Sequence, residues 1–321
     1  MERNLALEFV RVTEAAALAS SRWMGRGNEK AADQAAIEAM RRAFNFVEIN
    51  GTVVIGEGEQ DEVPMLYTGE KVGTGHPPET DIALDALEGT TITALGGYNA
   101  LSIIAAAGKG CILSVPDIYM EKIAVGPRAK GVINIEASPT QNLKAVAQAL
   151  DCPLEDLTVV ILDRPRHEAL IREIRSNGAR IRLIPDGDVS GAIATAMEGS
   201  GIDILMGIGG APEGVLAAAA LKCLGGDMQG RLVFRNDLDK ERAREAGIED
   251  TDKIFTLEDM VRGEEVMFAA TGVTDGDMLK GVRRLKEGAE TYSVVMRSPT
   301  HTIRFIQAIH CAATIKAKIG L

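Results

Sequence analysis

The stretch LTVVILDRPRHEALIREIRSNGARIRLIPDGDVSGAIATAMEGSGIDILMGIGGAPEGVLAAAALKCLG, residues 157–225, decides the fold class of this chain. Residues 158–162, 180–184 and 203–206 are predicted to form strands, and a predicted helix follows each of them. This alternation predicts a parallel sheet covered by helices, an α/β fold whose ligands collect at the carboxyl ends of the strands. The three helices are expected at about 167–177, 190–197 and 213–224.

The tips of these predicted strands carry groups that a phosphorylated sugar needs. Because parallel strands end at the same edge of a sheet, the three tips are expected to lie together. Guanidinium groups bind phosphate in bidentate fashion, aspartates suit sugar hydroxyls, and glycines let the backbone approach a ligand closely. Each tip alone is equally consistent with a surface loop, and the coincidence of all three favours a binding edge. The residues concerned are Arg164 and Arg166, Asp186 and Asp188, and Gly209, Gly210 and Glu213.

The first part of the chain predicts two helices and a short buried strand. Apolar positions at spacings of three and four indicate an amphipathic helix over residues 2–24, and a second helix is expected at about 31–46. The run 52–55 is typical of a short strand, and a polar loop with Glu57 and Asp61 follows it. Carboxylates are therefore expected where a buried strand ends.

The segment DIALDALEGTT, residues 81–91, carries the sharpest chemical signal. Alternation places Asp81 and Asp85 on one face of a strand that leads into a turn. Asp85 and Glu88 are oxygen donors three residues apart, followed by a glycine and the hydroxyl of Thr90, a pattern that suits Mg²⁺ or Mn²⁺. A helix that begins near Thr90 would also present backbone N–H groups to a phosphate. A capped turn with solvated acids explains this spacing equally well.

Acidic side chains elsewhere in the chain favour the metal hypothesis. Asp33 on the second helix, with the loop cluster Glu57, Glu59 and Asp61, could converge on the same point as Asp85 and Glu88. Taken singly, Asp33 is more often a helix-surface residue, and a solvated turn explains the loop acids as well as a ligand set does. Carboxylates that gather in one place raise each other's pKa values, and a bound cation removes that cost.

The remaining apolar segments extend the predicted sheets. Segments 99–107 and 111–115 are expected to continue the sheet that holds the acidic strand. Strands are predicted at 265–270 and 292–296, and a helix is predicted at about 300–315.

Two domains are expected. The densely charged segment 235–253 predicts an exposed excursion rather than a domain. A boundary near residue 130 gives an N-terminal metal-binding α+β lobe, residues 1–130, and a C-terminal α/β substrate-binding lobe, residues 131–321.

Composition excludes several classes of function. The 46 acidic and 35 basic residues give a net charge of −11, which repels polyanions and argues against a nucleic-acid partner. No run approaches a membrane span or the apolar core of a signal peptide, and four widely spaced cysteines are typical of reduced thiols, so we expect a cytoplasmic protein. Histidine spacing gives poor support to zinc chemistry, and the serine-hydrolase elbow and the P-loop motif do not occur.

Several motifs together resemble a known family. Asp85-x-x-Glu88-Gly89-Thr90, preceded by Asp81, resembles the D-P-[IL]-[DE]-G-[ST] signature of the lithium-sensitive phosphatase superfamily. More specific resemblance to the class II fructose-1,6-bisphosphatases extends from about residue 3 to about 310. It implies a layered α/β/α/β/α sandwich of the fructose bisphosphatase and inositol monophosphatase type. The motifs that carry it are VIGEGEQDEVPMLYTGEKVGTG (54–75), PDIYMEKIAVGP (116–127), IPDGDVSGAI (184–193), GIGGAPEGV (207–215) and FAATGVTDGDML (268–279).

The resemblance also implies an active site and an assembly. Catalysis would use Mn²⁺ or Mg²⁺ in a homodimer or homotetramer, with Thr90 and Asp61 connected to activation of the attacking water. The implied metal ligands are Asp33, Glu57, Asp85, Glu88 and Glu213. The implied substrate contacts are Glu88, Gly89, Thr90, Tyr119, Arg164, Arg166, Asp186, Asp188 and Gly210.

The chain departs from the family pattern at two places. The usual proline of the signature is Ala86 here, which is expected to loosen the turn without deleting a ligand. The family's lysine, which follows an acidic residue and precedes asparagine, has the local order Asn28-Glu29-Lys30 in this chain.

The function that the resemblance implies is hydrolysis of the 1-phosphate of fructose 1,6-bisphosphate, a step of gluconeogenesis. Cations would neutralise the phosphoryl oxygens while the arginine pair holds the distal phosphate. Within the same class of enzyme, the alternatives are a phosphatase for sedoheptulose 1,7-bisphosphate or for inositol phosphates. From a different class, the alternative is a non-catalytic sensor of sugar phosphates.

Overall fold

The computed structural model describes residues 5–59 and 63–312, which form two compact units. Unit 1 contains the described residues up to Ile112 and from Gly263 onward, and unit 2 is Leu113–Arg262. The chain therefore leaves unit 1, builds unit 2 and returns. This division differs from the expected boundary near residue 130, because the last segment belongs with the first rather than with the middle of the chain.

Helices and strands alternate along most of the described chain. In order, they are α1 (Leu5–Ser20), α2 (Glu29–Phe44), β1 (Asn50–Ile55), β2 (Lys71–Val72), β3 (Glu79–Glu88), α3 (Thr90–Leu95), β4 (Leu101–Gly108), β5 (Tyr119–Val125), α4 (Pro139–Leu150), β6 (Thr158–Leu162), α5 (Glu168–Ser176), β7 (Arg180–Ile184), α6 (Asp188–Ala194), β8 (Ile204–Gly210), α7 (Ala211–Leu224), β9 (Asp227–Val233), α8 (Asp237–Glu245), β10 (Ile254–Thr256), α9 (Leu257–Met260), β11 (Met267–Gly272), β12 (Arg283–Leu285), β13 (Gly288–Arg297) and β14 (Thr302–Cys311).

Unit 1 is built on a mixed sheet with the order β12-β13-β11-β4-β3-β1-β2, to which β14 adds by pairing with β13. The two long helices α1 and α2 pack against each other, α1 also packs on β11 and β13, and α2 packs on β3. Phe9, Met40 and Phe44 from these helices are fully buried in its core. Burial of such side chains, each contributing roughly 1.5–3 kcal/mol, fixes α2 against the strand that carries the acidic motif.

Unit 2 contains the alternating segment that the sequence singles out. Its sheet has the order β10-β9-β5-β8-β6-β7, in which β6 pairs in parallel with both β7 and β8. The predicted parallel arrangement of these three strands is confirmed. The sheet as a whole is mixed, because β5 is antiparallel to both β8 and β9. The α/β fold class is likewise confirmed, with a mixed sheet in each unit.

Three expectations about local structure are corrected. Residues 111–115 form no strand; instead the carboxylate of Asp81 accepts hydrogen bonds from the N–H groups of Cys111 (2.9 Å) and Ile112 (3.2 Å). The helix predicted at 300–315 is wrong for residues 302–311, which form β14. The charged segment 235–253 is not wholly an exposed excursion, since it contains α8, whose Ala243 is fully buried.

In the parts of the chain that the structure describes, no helix is long and apolar enough to cross a membrane.

Candidate active site

Glu57 lies in the loop that leaves β1, where the backbone is closely packed. A Cβ atom on the preceding Gly56 would lie 2.0 Å from the carbonyl oxygen of Leu66, so only glycine fits there. The N–H of Glu57 donates to that same carbonyl at 3.0 Å. Its carboxylate Oε1 accepts a 2.7 Å hydrogen bond from the N–H of Ala86, which joins the end of β1 to the end of β3.

Asp85 and Glu88 flank an irregularity in β3. The register between β3 and β4 shifts between these two residues, so the intervening residues leave the regular ladder. The N–H of Leu87 donates a hydrogen bond to Oδ1 of Asp85 at 3.0 Å, and the N–H of Ala86 donates one to Glu57. The carboxylates of Glu57 and Asp85 therefore bind adjacent peptide groups, while Glu88 is buried with 4% of its surface exposed.

Gly89 and Thr90 form the turn after this strand. Gly89 has φ of 87°, in the left-handed region that favours glycine, and a Cβ there would lie 3.1 Å from the side chain of Ile92. The helix α3 begins at Thr90, which meets the condition under which backbone N–H groups there would face a phosphate. The first N–H groups of a helix have no acceptor within it, so this turn offers donors beside the hydroxyl of Thr90.

Asp33 lies on α2, which packs against both β3 and α3. Its side chain is half-buried, and burial raises the pKa of its carboxyl group above the usual value. A carboxylate in this position is more stable when a proton or a cation neutralises it.

The structure supplies only part of the predicted metal site. Asp61 lies outside the described residues. Within 5–59 and 63–312, no three or more His, Cys, Asp or Glu side chains form a group that could hold a metal ion. In unit 1, the structure shows that the carboxylates of Glu57 and Asp85 accept hydrogen bonds from the adjacent N–H groups of Ala86 and Leu87. The set of metal ligands stays a prediction.

In unit 2, Asp188 and Gly210 meet at a lysine that was not among the residues predicted from the sequence. Asp188 begins α6 and is 7% exposed, and Lys122 on β5 is 3% exposed. The ammonium group of Lys122 donates to Oδ2 of Asp188 and, at 2.8 Å, to the carbonyl oxygen of Gly210. A buried ion pair with a further hydrogen bond thus joins two predicted substrate contacts.

Glu213 lies in the first turn of α7 and is the most perturbed acid of this unit. Burial, reinforced by the negative charge of Asp188 and opposed by Lys122, raises the pKa of Glu213 to about 7. Its Oε2 is buried and accepts no hydrogen bond from the described part of the chain. A Cβ on Gly210 would lie only 1.8 Å from that oxygen, so this glycine makes room for the carboxylate.

Arg166 and Tyr119 also come together at the carboxyl edge of the parallel strands. The Nε and Nη2 groups of Arg166 donate to the carbonyl oxygen of Ile208 at 3.0 and 2.7 Å, and its Cζ lies 4.8 Å from the centroid of the Tyr119 ring. Arg235 lies on the same ring, with Cζ 5.3 Å from the centroid, and the buried carboxylate of Asp239 holds its guanidinium through Nε and Nη2.

Arg164 and Asp186 complete the predicted set at the tips of β6 and β7. Both are half-buried; Nη1 of Arg164 donates to the carbonyl of Asp163 at 3.0 Å, and Oδ1 of Asp186 accepts from the N–H of Gly187 at 3.1 Å. These contacts are local to each tip. In unit 2, the structure thus brings Asp188 together with Gly210, and Arg166 together with Tyr119.

Lys122, Arg235 and His167 are the residues that sequence reasoning missed or left without a site role. A lysine in the apolar run of β5 was a detectable signal, since an interior strand seldom carries a charge without a partner. Arg235 was harder to detect, because it stands in a charged segment whose composition is typical of exposed surface. Nothing in the spacing of His167 indicates its contacts.

Comparison with known proteins shows the family of this chain. The family model for bacterial fructose-1,6-bisphosphatase, glpX-encoded, matches residues 3–310. Fructose-1,6-bisphosphatase 1 class 2 of Escherichia coli strain K12 is 51% identical over 322 residues, covering 97% of this chain and 96% of the relative. Fructose-1,6-bisphosphatases class 2 of Escherichia coli O6:H1 and of Shigella flexneri show the same identity and coverage. The chain therefore belongs to the family of glpX-encoded bacterial fructose-1,6-bisphosphatases.

Proposed function

We propose that this chain hydrolyses fructose 1,6-bisphosphate to fructose 6-phosphate and phosphate, the phosphatase step of gluconeogenesis. The observation that carries the proposal is 51% identity, over almost the whole length of both chains, to proteins named for this activity. The residues in the signature strand and at the strand tips of unit 2 support it, because they include acids for a cation and guanidinium groups for a phosphate.

Two observations of this structure fit a divalent cation. The buried Oε2 of Glu213 has no hydrogen-bond partner among the described residues, and its carboxyl group has a pKa of about 7. Burial likewise raises the pKa of Asp33. Both are acids that a cation would stabilise in the charged form. We propose that Asp33, Glu57, Asp85 and Glu88 of unit 1 bind Mn²⁺ or Mg²⁺, and that Glu213 of unit 2 also binds a divalent cation.

Different side chains are proposed to act on the reacting phosphate and on the distal phosphate. When bound, a divalent cation supplies charge neutralisation to the phosphoryl group and lowers the pKa of water. The hydroxyl of Thr90 would orient the attacking water, together with Asp61, while Gly89 leaves the backbone accessible to the phosphoryl oxygens. Binding of the distal phosphate, which does not react, positions the substrate for the chemical step.

The unit 2 residues are proposed to bind the sugar and its distal phosphate. Arg164 and Arg166 would hold the phosphate, with the ring of Tyr119 fixing the plane of the Arg166 guanidinium. Asp186 and Asp188 would accept hydrogen bonds from sugar hydroxyls, and Gly210 would let the backbone approach. We further propose a cytoplasmic homodimer or homotetramer.

Phosphate release from a panel of substrates tests the proposal. We expect purified protein with Mn²⁺ or Mg²⁺ to favour fructose 1,6-bisphosphate over sedoheptulose 1,7-bisphosphate and inositol phosphates. Asp85→Asn removes a ligand charge and is expected to lower kcat by about 100-fold or more. Glu79→Gln, an exposed change on the same strand β3, is the matched control and should leave kcat unchanged.

Three results would contradict the proposal. Faster turnover of another phosphate ester would change the substrate, and full activity of Asp85→Asn would remove that residue from the site. Tight binding of sugar bisphosphate without any phosphate release, at any metal concentration, would favour a sensor.

A further inference from the structure

Lys122 stands out among the residues of unit 2 because its long charged side chain is buried. It lies on β5, between β8 and β9 in the sheet, and only 3% of its surface is exposed. An ammonium group in the interior is costly unless it is both paired and hydrogen-bonded. Its partners therefore indicate what the charge is kept for.

Both partners of Lys122 belong to the proposed substrate edge. Its Nζ donates to Oδ2 of Asp188 and to the carbonyl oxygen of Gly210, the latter at 2.8 Å. Asp188 is the first residue of α6, and Gly210 is the last residue of β8. One ammonium group thus links three elements, and it determines where the carboxylate and the carbonyl lie.

The surrounding backbone is shaped to fit this ion pair. A Cβ atom on Gly209 would lie 2.0 Å from Oδ2 of Asp188 and 3.0 Å from Nζ of Lys122. On Gly214, a Cβ atom would lie 3.2 Å from Cδ of Lys122. Gly209 therefore leaves space for the ion pair, and Gly214 leaves space for the side chains of Met120 and Lys122.

Lys122 donates a hydrogen bond to the carboxylate of Asp188 but not to that of Glu213, although both are nearby. It bonds Asp188, whereas Oε2 of Glu213 accepts no hydrogen bond within the described residues although it is buried. Asp188 is thereby held as a fixed acceptor, whereas Oε2 of Glu213 has no hydrogen-bond partner among the described residues.

We propose that Lys122 is a positioning residue for the phosphatase reaction: it fixes Asp188 and the Gly210 carbonyl at the substrate edge and leaves Glu213 to a divalent cation. The inference rests on the proposed function. We infer that Lys122 acts mainly through Asp188, without contact between its own side chain and the substrate.

Lys122→Met tests the proposal by removing the charge while keeping an unbranched apolar side chain that is only one heavy atom shorter. We expect kcat/KM for fructose 1,6-bisphosphate to fall by about 10- to 100-fold, the usual cost of losing a residue that orients a ligand-binding group. A rise in KM should contribute, because Asp188 is proposed to bind the sugar.

Lys222→Met is the matched control. The Nζ of Lys222 also donates to one carboxylate, Glu258, at 2.6 Å and to one backbone carbonyl, Val261, at 2.8 Å. Its side chain is 10% exposed, and neither partner is proposed to bind substrate. This variant should keep kcat and KM within about twofold of the unaltered chain.

A double-substitution cycle with Asp188→Asn separates positioning from a general loss of structure. If Lys122 acts through Asp188, adding Lys122→Met to Asp188→Asn should change kcat/KM by no more than about threefold. The double variant also lacks the unpaired buried carboxylate that could unfold Lys122→Met alone. The comparison is therefore possible even if the single lysine variant does not fold.

The outcomes distinguish this inference from the proposed function. A folded Lys122→Met protein with unaltered KM and kcat would overturn the positioning role, as would losses that multiply in the double variant. An unaltered chain without activity on fructose 1,6-bisphosphate would instead refute the proposed function, whatever the variants do.

Discussion

At the scale of single residues, Ala86 departs from the family signature and makes a hydrogen bond to a proposed metal ligand. The usual proline has no N–H group, whereas the N–H of Ala86 donates to Oε1 of Glu57 at 2.7 Å. This bond joins two proposed metal-binding segments. Alanine therefore supplies a contact that the signature's proline cannot make, beyond the looser turn that the sequence predicts.

Ala86→Pro should weaken binding of the cation. It removes a hydrogen bond to a charged group, worth about 1.5–3 kcal/mol, so the Mn²⁺ concentration for half-maximal activity should rise by about tenfold or more. Titration of activity with Mn²⁺ measures the change. Ala86→Gly keeps the N–H and is the control, which should titrate as the unaltered chain does.

An unchanged Mn²⁺ requirement in Ala86→Pro would show that the bond to Glu57 does not position a metal ligand. A shift of equal size in Ala86→Gly would attribute the effect to the backbone instead.

At the scale of elements, His167 attaches the tip of β6 to β8. Its Nδ1 lies 2.7 Å from the carbonyl oxygen of Leu162, and its Nε2 lies 2.8 Å from the backbone nitrogen of Ile208. A backbone N–H can only donate, so Nε2 accepts and the proton resides on Nδ1. Because the carbonyl of Ile208 also binds Arg166, the neutral imidazole helps to hold the segment that carries the proposed phosphate-binding arginine.

Acid should weaken this attachment. Burial, reinforced by the neighbouring arginines, lowers the pKa of His167 below 6.5. The contribution of the neutral ring to stability is therefore complete above pH 6.5 and is lost as the pH falls from 6.5 to the lowered pKa. Protonation of Nε2 also removes the acceptor for the N–H of Ile208, because an imidazolium ring has two donors and no acceptor.

We therefore expect His167→Gln to lose less of its melting temperature between pH 7.5 and 5.5 than the unaltered chain loses. Thermal melts at both pH values test this, with the exposed His76→Gln as the control. Equal acid sensitivity in His167→Gln and the unaltered chain would contradict the proposed neutral form.

At the scale of the whole molecule, the acidic surplus and the buried acids predict that a cation stabilises the fold. Any ligand that binds only the folded chain adds RT ln(1 + [L]/Kd), about 2.7 kcal/mol at 100 times Kd. Addition of EDTA to Mn²⁺-loaded protein should therefore lower the melting temperature by a few degrees.

Asp85→Asn should show a smaller response to EDTA, because it has lost a proposed ligand, and Glu79→Gln should respond as the unaltered chain does. Equal responses of Asp85→Asn and the unaltered chain in scanning calorimetry would locate the stabilising cation elsewhere.

The same molecule shows how far local patterns predict the fold. The β–α alternation of residues 157–225 predicts the parallel strands β6, β7 and β8, because each short apolar run is bounded by its own turn. The helix predicted at about 300–315 is wrong for residues 302–311, where Ile303, Ile306 and Ile309 have helical spacing but the segment is an extended strand. The segment forms a strand because it pairs with β13 along its full length.

The sequence by itself determined the α/β class, the acidic turn that leads to α3 and the family, since each depends on residues close together in the chain or on motifs read in order. Only the tertiary structure decided that the chain returns to unit 1 after Arg262, that Ala86 binds Glu57 and that Lys122 meets Asp188. These are contacts between segments distant in sequence, and their geometry depends on strand order and burial, which no local spacing encodes.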